Sequence, residues 1–173
     1  MSFPYPRILD RVANSDWVIT QGALRSILTA LENVAFHGTG DRIALTTQKG
    51  SGGNVILRDG NIGVVSISGI IGKRLSSMDT ACGGVDVNAI TRDVQTLVDD
   101  PGVSKIVMDW DSPGGTVTGV PEAYDVLVKM GKKKPLISYT ETMQCSGAEW
   151  LASAASSKYA ASSATVGNVG VYN

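Results

Sequence analysis

From Ile62 to Ala155 the chain alternates between two hydrophobic periods, and few folds accommodate that alternation. Ile62 to Ser68 (IGVVSIS) is rich in β-branched residues and predicts a buried strand. Asp86 or Asn88 can then cap a helix with apolar positions at Ile90, Val94, Leu97 and Val98, which Asp99-Asp100-Pro101-Gly102 ends. The unit repeats. Ser104 to Trp110 (SKIVMDW) predicts a second strand, and Val120, Ala123, Leu127 and Met130 mark one face of a helix near 119–130. A third strand is predicted from Leu136, ending near Tyr139, then a short polar loop and a helix over 146–155. Short segments at 158–161 and 166–171 (VGNVGV) close the chain. Strands joined by crossover helices run parallel, with right-handed connections. The predicted class is therefore α/β, with repeated strand–helix units on a mostly parallel sheet.

The residues before this core read differently. Pro4 and Pro6 prevent an early helix, so residues 1–19 predict an arm that Trp17, Val18 and Ile19 can anchor on another surface. Thr20 is a plausible N-cap for a helix with Leu24, Ile27, Leu28, Leu31, Val34 and Ala35 at helical spacing, stopped by Gly38. The expected division is 1–40 for arm and amphipathic helix and 41–173 for the main domain. Ile43 to Thr47 predicts a short strand. Val55-Ile56-Leu57 predicts another, turning at Asp59-Gly60-Asn61 into the Ile62 strand. Lys73 to Gly84 is polar and irregular, and can border a groove.

Composition removes several classes of function. The 173 residues carry a formal net charge of −1 and no basic stripe, so nucleic acid is not an expected partner. Lys132-Lys133-Lys134 follows a predicted helix and reads as its solvated C-terminus. Cys82 and Cys145 form no CxxC pair and there is one histidine, so neither a metal nor a cofactor is expected. The N-terminus lacks a charged start followed by an apolar core, and no apolar run is long enough for a membrane span. A cytoplasmic protein without membrane partners is expected.

Two loops carry chemistry. In parallel sheets, sites collect beyond the C-terminal strand ends, and both Asp111-Ser112-Pro113-Gly114-Gly115 and the segment around Ser146 fall there. Ser146 stands at a helix start, where backbone N–H groups lack intrahelical partners. A serine hydroxyl becomes a nucleophile when a neighbour takes its proton, and acyl transfer also needs donors for the oxyanion. Gly114 and Gly115, with Pro113 fixing the approach, can present backbone N–H groups, and Gly147 can add another. Gly114-Gly115 can also pair with an extended substrate strand. The plain alternatives are a tight strand-to-helix turn at PGG and close helix packing at Ser-Gly-Ala. His37 is the only histidine. It precedes Gly38 and reads better as a helix-terminal residue than as a general base.

The order strand, DSPGG, helix, strand, SGAEWLASAA, then VGNVGV resembles the signal peptide peptidase A family of serine proteases, of Clp-protease/crotonase-like fold, over about Ile62 to Val171. The resemblance implies Ser146 as nucleophile, an oxyanion hole from Gly114 and Gly115, and a substrate groove at Pro113, Val166, Gly167, Val169 and Gly170. The Trp17-Val18-Ile19 arm and its helix resemble phage and prophage members, which process scaffold and capsid proteins during head maturation. That implies protein substrates, homo-oligomers, and a place in the host cytoplasm or procapsid interior. The family uses a Ser–Lys dyad whose lysine lies several dozen residues after the serine. The chain ends at Asn173, so the base lysine is expected beyond it and the C-terminal part of the domain is expected to be missing. The polypeptide alone is then expected to show little or no peptidase activity. Glu149 departs from the family, which carries a tyrosine or similar residue there. The alternatives are a cellular signal-peptide or membrane-fragment peptidase, an assembly module that retains the fold without catalysis, and, as a poorer fit, a crotonase acting on acyl-CoA.

Overall fold

Along β3 (Ile62–Ser68), Gly63, Val65 and Ile67 are buried, and the residues between them are half-buried. β6 (Lys105–Ser112) repeats this with Ile106, Met108, Trp110 and Ser112. A period of two puts these side chains on one face, so the strands pair in the register that stacks their buried sets. The pairing is parallel, from Ile62 opposite Lys105 to Ser68 opposite Asp111. In this computed structural model the residues described are Trp17–Ile19, Asn54–Asp59 and 61–171. The expected helix over 20–38, His37, the strand at 43–47 and the boundary at 40/41 lie outside them.

The larger sheet runs β10-β8-β6-β3-β2, with β9 also beside β8. Here β2 is Asn54–Asp59, β8 Leu136–Cys145, β9 Ser157–Ala160 and β10 Thr165–Gly167. Only β2 runs antiparallel, forming with β3 the expected hairpin that closes at Asp59 opposite Ile62. The smaller sheet runs β1-β7-β4-β5, with β1 Trp17–Ile19, β4 Ile70–Gly72, β5 Gly84–Asp86 and β7 Gly114–Thr116. The mixed α/β class with a mostly parallel sheet is as the sequence predicts. The smaller sheet is not anticipated, because its strands are three residues long and too short to show a period.

Four described helices complete the structure. α1 (Ser77–Ala81) lies in the stretch expected to be irregular, and Ser76 and Asp79 cap it reciprocally. α2 (Val87–Asp99) is capped by Asp86, which accepts from the N–H of Asn88. It buries Val87, Ile90, Val94, Leu97 and Val98. α3 (Val120–Gly131) buries Val120, Ala123, Leu127 and Met130. α4 (Gly147–Ala152) buries Ala148, Leu151 and Ala152. These faces close one core with Val65, Ile67, Ile71, Ile106, Met108 and Trp110.

The lysine run corrects one expectation. Lys132 and Lys133 are exposed, but Lys134 folds back, and its Nζ donates to the carbonyls of Leu97 at 3.0 Å and Asp100 at 2.5 Å. The ammonium thus satisfies two carbonyls at the end of α2, where the helix dipole is negative. Lys134→Met is expected to cost about 1 kcal/mol of stability, read as a lower urea midpoint with an unchanged slope.

Candidate active site

β6 and β8 are parallel neighbours, and Ser112 on β6 stands opposite Gln144 on β8. Two residues further along each chain lie Gly114 and Ser146. The two loops singled out in the sequence therefore leave the sheet side by side, at one level. α4, which starts beside Ser146, packs against β7 as well as β8.

The expected end of β8 near Tyr139 is corrected. The strand continues to Cys145 and bulges on the way. Asp109 pairs with Tyr139 and Asp111 with Met143, so Thr140, Glu141 and Thr142 all face the single residue Trp110. The Thr140 hydroxyl donates to the Trp110 carbonyl at 2.8 Å, and the Thr142 hydroxyl to Asp111 Oδ1 at 2.6 Å. These polar side chains mimic a loop in the sequence because they replace ladder bonds lost at the bulge.

Ser146 has φ 57° and ψ −119°. These angles match the first central position of a type II′ turn, about (+60°, −120°), which glycine dominates. A serine held there costs on the order of 1–3 kcal/mol. Its N–H donates to the Gly167 carbonyl at 2.7 Å, and its carbonyl accepts from Trp150 N–H at 2.9 Å. The residue is fully buried, and Oγ finds no hydrogen-bond partner among the described residues. Buried hydroxyls are ordinarily satisfied, so an orphan in a strained turn demands an explanation. The strained strand-to-helix turn is also how hydrolases on other folds expose a nucleophile.

The glycines differ. Gly114 has φ 99°, and its N–H rests on Ser112 Oγ at 3.2 Å. That hydroxyl donates to the Gly69 carbonyl at 2.6 Å. Gly115 lies mid-strand, opposite Ile71 of β4 on one side and Val18 of β1 on the other. Gly147 is the first residue of α4, where a backbone N–H has no intrahelical partner. Pro113 is half-buried between the two strands. Gly167 touches the Ser146 turn directly, Val166 and Val169 are exposed, and Gly170 is half-buried.

A polar chain behind the turn escaped the sequence reading. Ser138 Oγ donates to Gln144 Oε1 at 2.5 Å, Gln144 Nε2 donates to Glu149 Oε2, and Lys158 Nζ binds Glu149 Oε1 at 2.5 Å. Gln144 precedes Ser146 by two residues and Glu149 follows it by three, so this chain brackets the turn. Glu149 does stand out in the sequence as a departure from the family. Its bond to Lys158 does not, because Lys158 reaches it from β9.

Cys145 is buried, and burial above all pushes its thiol pKa up, with Glu149 adding to the rise. Cys82 is exposed. Iodoacetamide at pH 8 is expected to modify Cys82 quickly and Cys145 only after unfolding, as peptide mass mapping will read. Among the described residues no cluster of His, Cys, Asp and Glu could hold a metal ion, and no helix is long and apolar enough to cross a membrane.

Residues 129–173, which contain β8, Ser146, α4, β9 and β10, match the sequence model of Peptidase family S49. The chain is 33% identical over 110 residues to "Capsid assembly protease C" of Escherichia phage lambda, covering 64% of this chain and 25% of that protein. It is 29% identical over 110 residues to "Head-tail preconnector protein GP5" of Enterobacteria phage P21, covering 64% and 22%. The chain thus spans about a quarter of the length of these curated relatives. Among solved structures, an enoyl-CoA hydratase from Polaromonas sp. JS666 is similar with a TM-score of 0.49 at 16% identity, over 64% of this chain and 49% of that one. The family resemblance drawn from the sequence is borne out by the peptidase and phage matches.

Proposed function

We propose that this chain carries the nucleophile and oxyanion-binding half of a serine endopeptidase that processes phage scaffold or capsid proteins during head maturation. The observation that carries the reading is Ser146 itself. Its hydroxyl is buried and has no partner among the described residues, its backbone is held in a glycine-type conformation, and it follows Gln144 by two residues just as Gly114 follows Ser112, the residue paired with Gln144. In the reaction Ser146 Oγ attacks the scissile carbonyl while its proton passes to a neutral amine, and the amine then protonates the leaving nitrogen. The acyl-enzyme is released by water. Gly147 N–H and the Gly114-Gly115 backbone stabilise the oxyanion, which would take over the Gly114 N–H now resting on Ser112.

The base in this reading is a lysine other than those described beside the Ser146 turn. Supporting this, Ser146 Oγ has no partner among the described residues, and Lys158 is committed to Glu149. The groove is formed by Pro113, Val166, Gly167, Val169 and Gly170. The enzyme works as a homo-oligomer on protein substrates, in the host cytoplasm or procapsid interior, without nucleic acid, membrane or cofactor.

The test is reaction of the native, assembled protein with a fluorophosphonate, followed by peptide mass mapping. An adduct on Ser146, absent from Ser146→Ala, is the expected result. No adduct on Ser146 in an assembly that contains the lysine would overturn the reading and favour the assembly module.

A further inference from the structure

β7 carries the two candidate oxyanion glycines and has two neighbours. On one side lies β4, with Ile71 opposite Gly115. On the other lies β1, which is the outermost strand of this sheet. The register of β1 is antiparallel, with Ile19 opposite Gly114, Val18 opposite Gly115 and Trp17 opposite Thr116. Without β1, the backbone of Gly114–Thr116 would present an open edge beside the Ser146 turn. An open edge with unpaired N–H and C=O groups is the element that captures extended peptides by strand addition. The direction of β1 brings its C-terminal end, Ile19, to Gly114, the residue level with Ser146.

We infer that the outer edge of Gly114–Thr116 is a docking site for an extended peptide strand, and that the chain's own Trp17–Ile19 occupies it as an internal plug. This rests on the peptidase reading for what the site serves, but the docking itself does not. Substrate and plug compete for one row of backbone groups, so a substrate strand enters only when β1 leaves. A peptide bound in the same direction would present the bond on the C-terminal side of its docked residues to Ser146.

Hydrogen exchange on the full chain tests this. Val18→Pro removes the central N–H of β1. Amides of residues 114–117 are expected to exchange about tenfold faster or more, while β3, β6 and β8 keep their protection. A synthetic peptide spanning residues 13–23 should restore slow exchange, and the same peptide with Val18→Pro should not. Unchanged exchange at 114–117 in the folded variant, or failure of the peptide to restore protection, would overturn the inference. Fluorophosphonate labelling separates the two proposals. Faster labelling of Ser146 in Val18→Pro supports the plug. Altered exchange without an adduct in any variant, labelled in an assembly that contains the lysine, keeps the dock and removes the peptidase.

Discussion

Replacing Ser146 by glycine is expected to abolish covalent capture by a fluorophosphonate, a loss of roughly 10³-fold or more, and at the same time to stabilise the fold by at least about 1 kcal/mol. The two effects share a cause. The serine stands at φ 57° and ψ −119°, where glycine is at ease and a Cβ is not. Relief of that strain is worth on the order of 1–3 kcal/mol. Removing a buried hydroxyl that lacks a partner among the described residues adds a gain of similar order. Against these stands the greater freedom of glycine in the unfolded chain, about 0.5–1 kcal/mol. Ser146→Ala keeps the strain and loses only the hydroxyl, so it should fall between wild type and Ser146→Gly. Urea denaturation of the three proteins gives the order directly. A Ser146→Gly protein less stable than wild type by about 1 kcal/mol or more would show that the residue is held for packing and not for reactivity.

Gly115→Ala is expected to be the most damaging single-methyl change in the site, at a cost above about 3 kcal/mol. A Cβ at position 115 would lie 1.7 Å from the Ile71 carbonyl oxygen, 2.5 Å from its carbon and 2.7 Å from its nitrogen. These are backbone atoms of the adjacent strand, and no side chain can swing aside to make room. β4 and β7 would have to part, which disrupts the sheet carrying the candidate oxyanion loop. Gly114→Ala carries the backbone strain of φ 99°, on the order of 1–3 kcal/mol. Thermal or urea unfolding of the two variants decides the matter, and equal small losses for both would refute the close-approach argument. Gly115 thus answers a steric demand, and the left-handed backbone of Gly114 a conformational one.

Sequence periodicity reaches as far as elements that are long enough to show a period. β3, α2, α3 and the start of β6 are legible because their buried residues recur at spacings of two or of three to four. The three-residue strands β4, β5 and β7 offer no period to read. The bulge at Thr140–Thr142 imitates a loop because polar side chains replace the missing ladder bonds. Lys134 resembles an ordinary solvated lysine because its partners come from α2, 34 and 37 residues away in the chain. Of the site, Ser146 and the adjacent glycines are visible as local chemistry. The bond from Ser146 N–H to the Gly167 carbonyl, that from Ser112 to the Gly69 carbonyl and the chain from Ser138 to Lys158 arise only through strand pairing.

By itself, then, the sequence determined the α/β class, the strand–helix order and a serine beside small residues at a helix start, because each depends on neighbours along the chain. Tertiary structure decided the rest. It set Ser112 opposite Gln144, so that Gly114 and Ser146 leave adjacent strands at one level, and it laid Trp17–Ile19 along the edge of the glycine strand. Register between distant strands depends on which faces are buried together, a quantity that no short stretch of sequence contains.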